Sequence, residues 1–161
     1  MIIALDTNVL VSAFISKAGP SARLIDIILT LEDVELVLSD EIIEEFVEVM
    51  SRDELLVRFD YSLAHVEELA RLLKKSARMV KPKSRFRAVR ADPADNIVLN
   101  TAYDGNCDFI VSGDHHLLDL KKFKGIRVVS PKQMLDLLSK IIGCRVPGAA
   151  MSESMSGVRN R

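Results

Sequence analysis

Four short apolar runs, "IIAL" at 2–5, "VELVL" at 34–38, "DFIVS" at 108–112 and "IRVVS" at 126–130, are separated by longer amphipathic stretches. Runs of that length suit strands buried on both faces, and the stretches between them suit covering helices. The alternation predicts an α/β chain with a central, mainly parallel sheet. With 161 residues, it is one domain of ordinary size, long enough to bury a core.

Local signals mark the elements. A mostly apolar helix is expected from Thr7 to Ser16, broken by "GPS", with Ser21 as the cap of a helix through "ARLIDIILTL". Ser39 caps "DEIIEEFVEVM", whose early acids favour a helix N-terminus, and Ser62 opens "LAHVEELARLLKKS". "ARMV" reads as a short strand and "DPADNIVLNTAYDG" as a capped helix ending at Gly105. Pro131 starts a last helix, "PKQMLDLLSKII", at a position proline tolerates. From Gly143 onward the residues are small and polar without periodicity. The expected organisation is a domain over 1–142 and a flexible tail over 143–161.

Bulk composition excludes little. The 22 basic and 23 acidic side chains nearly cancel, so net charge argues neither for nor against a nucleic-acid partner. Cys107 and Cys144 match no metal or redox spacing and read as small apolar residues in a reducing compartment. The N-terminus has no basic leader, and Asp6 and Asn8 interrupt its apolar stretch, so neither signal peptide nor membrane anchor is expected. A cytoplasmic protein is the default.

Chemistry is carried by acids at strand ends. In open parallel sheets, ligands bind beyond the carboxyl ends of the strands. Asp6 directly follows the first apolar run, and Asp114 lies two residues past "DFIVS". On the helix after the second strand, Ile42, Phe46, Val49 and Met50 define the apolar arc, and Glu45 falls nearer that arc than Glu41, Glu44 or Glu48. Asp95 heads the helix that returns to "DFIVS", with Asp92 in the turn before it. A right-handed crossover would bring all of these toward one sheet edge.

Taken singly, each acid has a plainer role. Asp6 and Asp95 suit helix caps, Glu45 a boundary position, and Asp114 a turn after glycine. Packed together, the carboxylates would repel and raise one another's pKa values unless a cation joined them. An all-oxygen set suits Mg²⁺ or Mn²⁺ better than zinc. Asn8 and Ser112 are placed to orient those carboxylates, whereas Thr7 reads as a helix cap. His115 and His116 adjoin Asp114 as potential ligands or bases, although adjacent histidines on a short helix usually face solvent. Between Arg78 and Arg90, Lys81, Lys83, Arg85 and Arg87 form an acid-free basic run with one aromatic, Phe86. Such a run is either solvated surface or a phosphate grip beside the acids, ending at Arg90.

"LDTNVLVSAF", "SDEIIEEFVEVM", "RADPADNIVLNTA" and "DFIVSGDHHLL", in that order, resemble the PIN-domain nucleases, most of all the VapC-like toxin branch of toxin–antitoxin pairs. The resemblance runs from Met1 to the helix after Pro131. By position it puts the family's acidic quartet on Asp6, Glu45, Asp95 and Asp114, its polar helpers on Asn8 and Ser112, and an extra acid on Asp92. It implies a three-layer α/β/α sandwich, Mg²⁺- or Mn²⁺-dependent endonucleolytic hydrolysis of single-stranded RNA, a protein antitoxin and a homodimer. Water would attack, leaving a 5′-phosphate and a 3′-hydroxyl, with no side-chain nucleophile required. Receiver domains and haloacid dehalogenase-type phosphatases fit worse, the latter because Asn8 stands where a second aspartate is needed. The alternative is a non-catalytic RNA- or protein-binding module of the same fold.

Overall fold

The computed structural model describes residues 1–90 and 92–145. The first apolar run forms β1 (Ile2–Leu5), and Asp6 ends it by capping α1 (Thr7–Ile15). Helix α2 (Pro20–Thr30) begins differently from expectation: Gly19 is the N-cap, Pro20 takes the first turn, and Ser21 is buried inside the helix with no capping role. Proline at that position needs no N–H partner, so the helix starts one step earlier than the serine suggests. Strand β2 (Glu35–Ser39) leads into α3 (Asp40–Met50), where the Ser39 hydroxyl accepts from the Ile42 N–H as expected. A short helix, α4 (Asp53–Phe59), follows with no buried residue. Its exposure explains why no apolar stripe announces it.

Helix α5 (Leu63–Ser76) carries a capping box between Ser62 and His65, and β3 (Arg78–Val80) follows. Helix α6 (Asp95–Asp104) has no side-chain cap, because Asp92 Oδ1 accepts from the Ala94 N–H in the turn before it. Strand β4 (Phe109–Val111), α7 (His115–Leu120), β5 (Lys122–Phe123) and β6 (Ile126–Val129) complete the sheet, and α8 runs from Pro131 to Arg145. The last helix thus extends past Gly143, where the tail was expected to begin. The remainder of that expected tail lies outside the described residues.

The sheet order is β3-β2-β1-β4-β6-β5. All pairs are parallel except β5 with β6, a two-residue hairpin strand that periodicity cannot reveal. Its turn uses Lys124 and Gly125 at positive φ, 48° and 89°. Helices α1, α2, α3, α5 and α8 pack on one another, whereas α6 lies against β1, β2 and β4. The architecture is an α/β/α sandwich whose core holds Ile3, Leu5, Leu38, Phe46, Leu99 and Ile110, all essentially inaccessible. Successive strands are added on one side of β1 as far as β3, then on the other side from β4. That reversal opens a crevice at the carboxyl end of β1.

Between β3 and α6 the chain has no regular structure, yet it is fixed. Asn96 Oδ1 accepts from the Val89 N–H at 3.0 Å, Asn100 Oδ1 from Phe86 at 2.8 Å, and Asp104 from the N–H groups of Lys83 and Ser84. These acceptors stand four residues apart, so they form one stripe along α6. The Phe86 ring packs edge-on against Tyr103 and Phe123.

Candidate active site

Asp6 sits in the crevice. Its N–H continues the ladder to Val111 O at 3.0 Å. Both carboxylate oxygens are occupied: Oδ1 accepts from the Thr7 N–H at 2.8 Å, and Oδ2 from the Ser112 hydroxyl at 2.6 Å. Ser112 is fully buried behind Asp6. Its Oγ accepts in turn from the Asp114 N–H at 3.0 Å and from Asn8 Nδ2 at 3.4 Å, while Asn8 Oδ1 accepts from the Gly113 N–H at 3.1 Å. One hydroxyl therefore ties the ends of β1 and β4 together.

Glu45 projects from α3 and is half-buried. Its Oε2 accepts from the Thr7 hydroxyl at 2.6 Å. This corrects the sequence expectation for Thr7: Asp6 is the cap of α1, and the threonine side chain instead reaches across 38 positions to hold the glutamate. A threonine after an aspartate at a helix start gives no local sign of such a tertiary contact.

Asp95, the first residue of α6, is 8% exposed, and its Oδ2 is buried with no hydrogen-bond partner among the described residues. Asp114 caps α7 by accepting from the His116 N–H at 2.7 Å. The structure brings Asp6, Glu45, Asp95 and Asp114, together with Asn8 and Asp92, to the wall of one cavity of about 380 Å³. Thr7 and Ser12 add polar lining, Val11 and Val49 an apolar flank.

The electrostatics of this cavity are those of crowded anions. Burial pushes the Asp6 carboxyl up to about 6, and the Asp95 and Glu45 charges add to the effect, although the Ser112 and Thr7 hydrogen bonds oppose it. Asp95 is likewise pushed up to about 6, first by burial, then by Asp114 and Asp92, with His116 opposing. A buried carboxylate oxygen without a donor, facing three other carboxyl groups, is costly as it stands and well matched to a divalent cation. The donors are oxygens, which suits a hard ion. His115 and His116 stand beside Asp114 with ring centroids 3.9 Å apart, His115 exposed and His116 half-buried.

The basic run divides. Arg85, Arg87 and Arg90 line a neighbouring cleft of about 790 Å³ with Phe86, Pro93 and Asn96. Arg85 also donates to the carbonyl oxygens of Pro82 and Ser84. Among the described residues Lys81 and Lys83 are exposed and lie outside that cleft. Pro93 and Asp92 join the cleft to the acidic cavity. Burial pushes the Cys107 thiol up to about 12, which fits an inert apolar residue.

The sequence matches the PIN domain family model over residues 3–116. That span contains every acid of the cavity. A chain in the crystal structure of VapBC2 from Rickettsia felis, bound to a DNA fragment from their promoter, has a similar fold: TM-score 0.58, 12% identity, with 81% of this chain and 98% of that one covered. No curated protein sequence matches the chain.

Proposed function

Since the chain belongs to the PIN domain family, we propose that it is a divalent-metal-dependent endoribonuclease that hydrolyses single-stranded RNA, acting as the toxin of a toxin–antitoxin pair. The observation that carries this proposal is the convergence of Asp6, Glu45, Asp95 and Asp114 on one cavity with a buried Asp95 oxygen left unpaired. Asp6, Asp95 and Asp114, completed by Glu45, would hold Mg²⁺ or Mn²⁺. A divalent ion bound there supplies the Lewis acidity that makes water nucleophilic near neutral pH and offsets charge on the phosphoryl group.

The chain's own groups do the positioning. Ser112 and the Thr7 N–H fix both oxygens of Asp6, so that carboxylate cannot rotate away from the cavity. The Thr7 hydroxyl fixes Glu45. Arg87 and Arg90, beside the cavity, would hold flanking phosphates, and Phe86 offers a nearby ring edge for a base. A VapBC assembly among the similar structures favours an antitoxin as partner, and the branch resemblance adds a cytoplasmic homodimer. Among the described residues no helix is long and apolar enough to cross a membrane.

The test is cleavage of labelled single-stranded RNA by the wild type and by Asp95→Asn, with Mg²⁺, with Mn²⁺ and with chelator. Metal-dependent cutting by the wild type alone is expected. An inert wild type that also binds no metal in calorimetry would replace the nuclease by a binding module of the same fold.

A further inference from the structure

Outside the four acids, another group of potential ligands meets the cavity. Asp114, His115 and His116 each place a ligand atom so that all three lie within 4.8 Å of one another. A first-row ion with bonds of about 2.0–2.2 Å holds its ligand atoms roughly 3–4.4 Å apart, so small side-chain rotations would close this set. The three residues are consecutive at the start of α7, and the Asp114 cap bond to the His116 N–H fixes the backbone that carries them.

We propose that Asp114, His115 and His116 form a second cation subsite that shares Asp114 with the carboxylate cavity and selects a nitrogen-accepting first-row ion such as Mn²⁺ or Co²⁺ over Mg²⁺. This rests on the nuclease assignment for the oxygen-only position. The second, independent observation is Asp95, more than nine-tenths buried, with an unpartnered oxygen in the same cavity as Asp114. The cavity therefore has an unmet demand for positive charge on the side where Asp114 faces Asp95. Imidazole nitrogen separates the two positions chemically: it suits Mn²⁺ and Co²⁺ and is a poor ligand for Mg²⁺, which prefers oxygen and keeps its water. The oxygen position takes either class, and the Asp-His-His position takes one.

The experiment uses the full chain stripped with chelator, then titrated with Co²⁺ and separately with Mg²⁺. Calorimetry reads stoichiometry, and visible absorption reads nitrogen ligation of cobalt. The wild type should take up one more Co²⁺ than Mg²⁺ per chain. His115→Gln/His116→Gln should weaken the extra Co²⁺ site by about tenfold or more, bleach its absorption band and leave Mg²⁺ affinity within about twofold. Asp95→Asn should show the converse, with Mg²⁺ binding reduced and the cobalt band retained. Equal uptake of both ions by the wild type, or an unchanged cobalt band in the double variant, overturns the subsite and leaves the nuclease assignment standing. Failure of the wild type to bind either ion overturns both.

Discussion

Replacing Asp95 by asparagine should stabilise the metal-free protein, and by more at pH 8 than at pH 5. The Asp95 carboxyl moves from 3.8 to about 6 on folding, chiefly through burial. A carboxyl with a raised folded pKa adds its stability below the unfolded value, and that contribution is lost as pH rises through the folded one. For a shift of this size the loss is roughly 1.5 kcal/mol at pH 5 and roughly 3 kcal/mol at pH 8. Asparagine does not titrate, so it avoids both losses. Its amide introduces a buried donor where Oδ2 has no partner, at a cost of about 1–3 kcal/mol, but that cost does not vary with pH. The robust quantity is therefore the increase in the variant's advantage between the two pH values, roughly 1.5 kcal/mol, or about 3–6 °C in melting temperature for a chain of this size. Thermal unfolding followed by circular dichroism in chelator, at both pH values, measures it. Saturating Mn²⁺ at pH 8 should then raise the melting temperature of the wild type and not of the variant. An advantage that stays constant or shrinks from pH 5 to pH 8 would show that Asp95 does not enter the fold as a strained anion.

Thr7→Val keeps the N–H bond to Asp6 and removes the hydroxyl that holds Glu45, so RNA cleavage should fall about tenfold to a hundredfold and recover in Thr7→Ser. In Arg87→Gln/Arg90→Gln, filter binding to single-stranded RNA should weaken, and its logarithmic salt slope should drop by about one per lost phosphate contact. Asn100→Ala strips the acceptor from the Phe86 N–H and should cost about 1–3 kcal/mol in urea unfolding, with faster proteolysis between residues 83 and 89. Gly105→Ala would place a Cβ 2.8 Å from both Thr101 O and Val37 Cγ1, so a loss of about 1–3 kcal/mol is expected, read as a lower melting temperature.

What the sequence made legible follows from range. Strands β1, β2, β4 and β6 announce themselves because each is buried on both faces, and α3 and α5 because serine caps stand directly before apolar stripes. Helix α4 hides nothing and β5 is two residues long, so neither leaves a periodic trace. The acids could be placed at one sheet edge because topology alone brings strand ends together. The hydroxyls of Thr7 and Ser112 were harder, since their partners stand 38 and 106 positions away. Asn96, Asn100 and Asp104 did leave a signal. Three polar residues at a four-residue interval on an otherwise apolar helix mark a face that must meet something polar, and here it meets backbone.

That stripe changes how the stretch before α6 tolerates changes in length. A surface connection ordinarily absorbs an added or deleted residue, because nothing counts its residues. Here α6 does the counting: Asp104, Asn100 and Asn96 each claim a particular amide along 83–89. One inserted residue between Ser84 and Val89 would leave at least one claim unmet, or else rotate every arginine downstream of it. Because Asp95 opens the same helix, the arginines and the buried carboxylate belong to one rigid body. The distance from the basic cleft to the acidic cavity is then built in during folding, so relatives that vary this segment's length would have to change the helix with it.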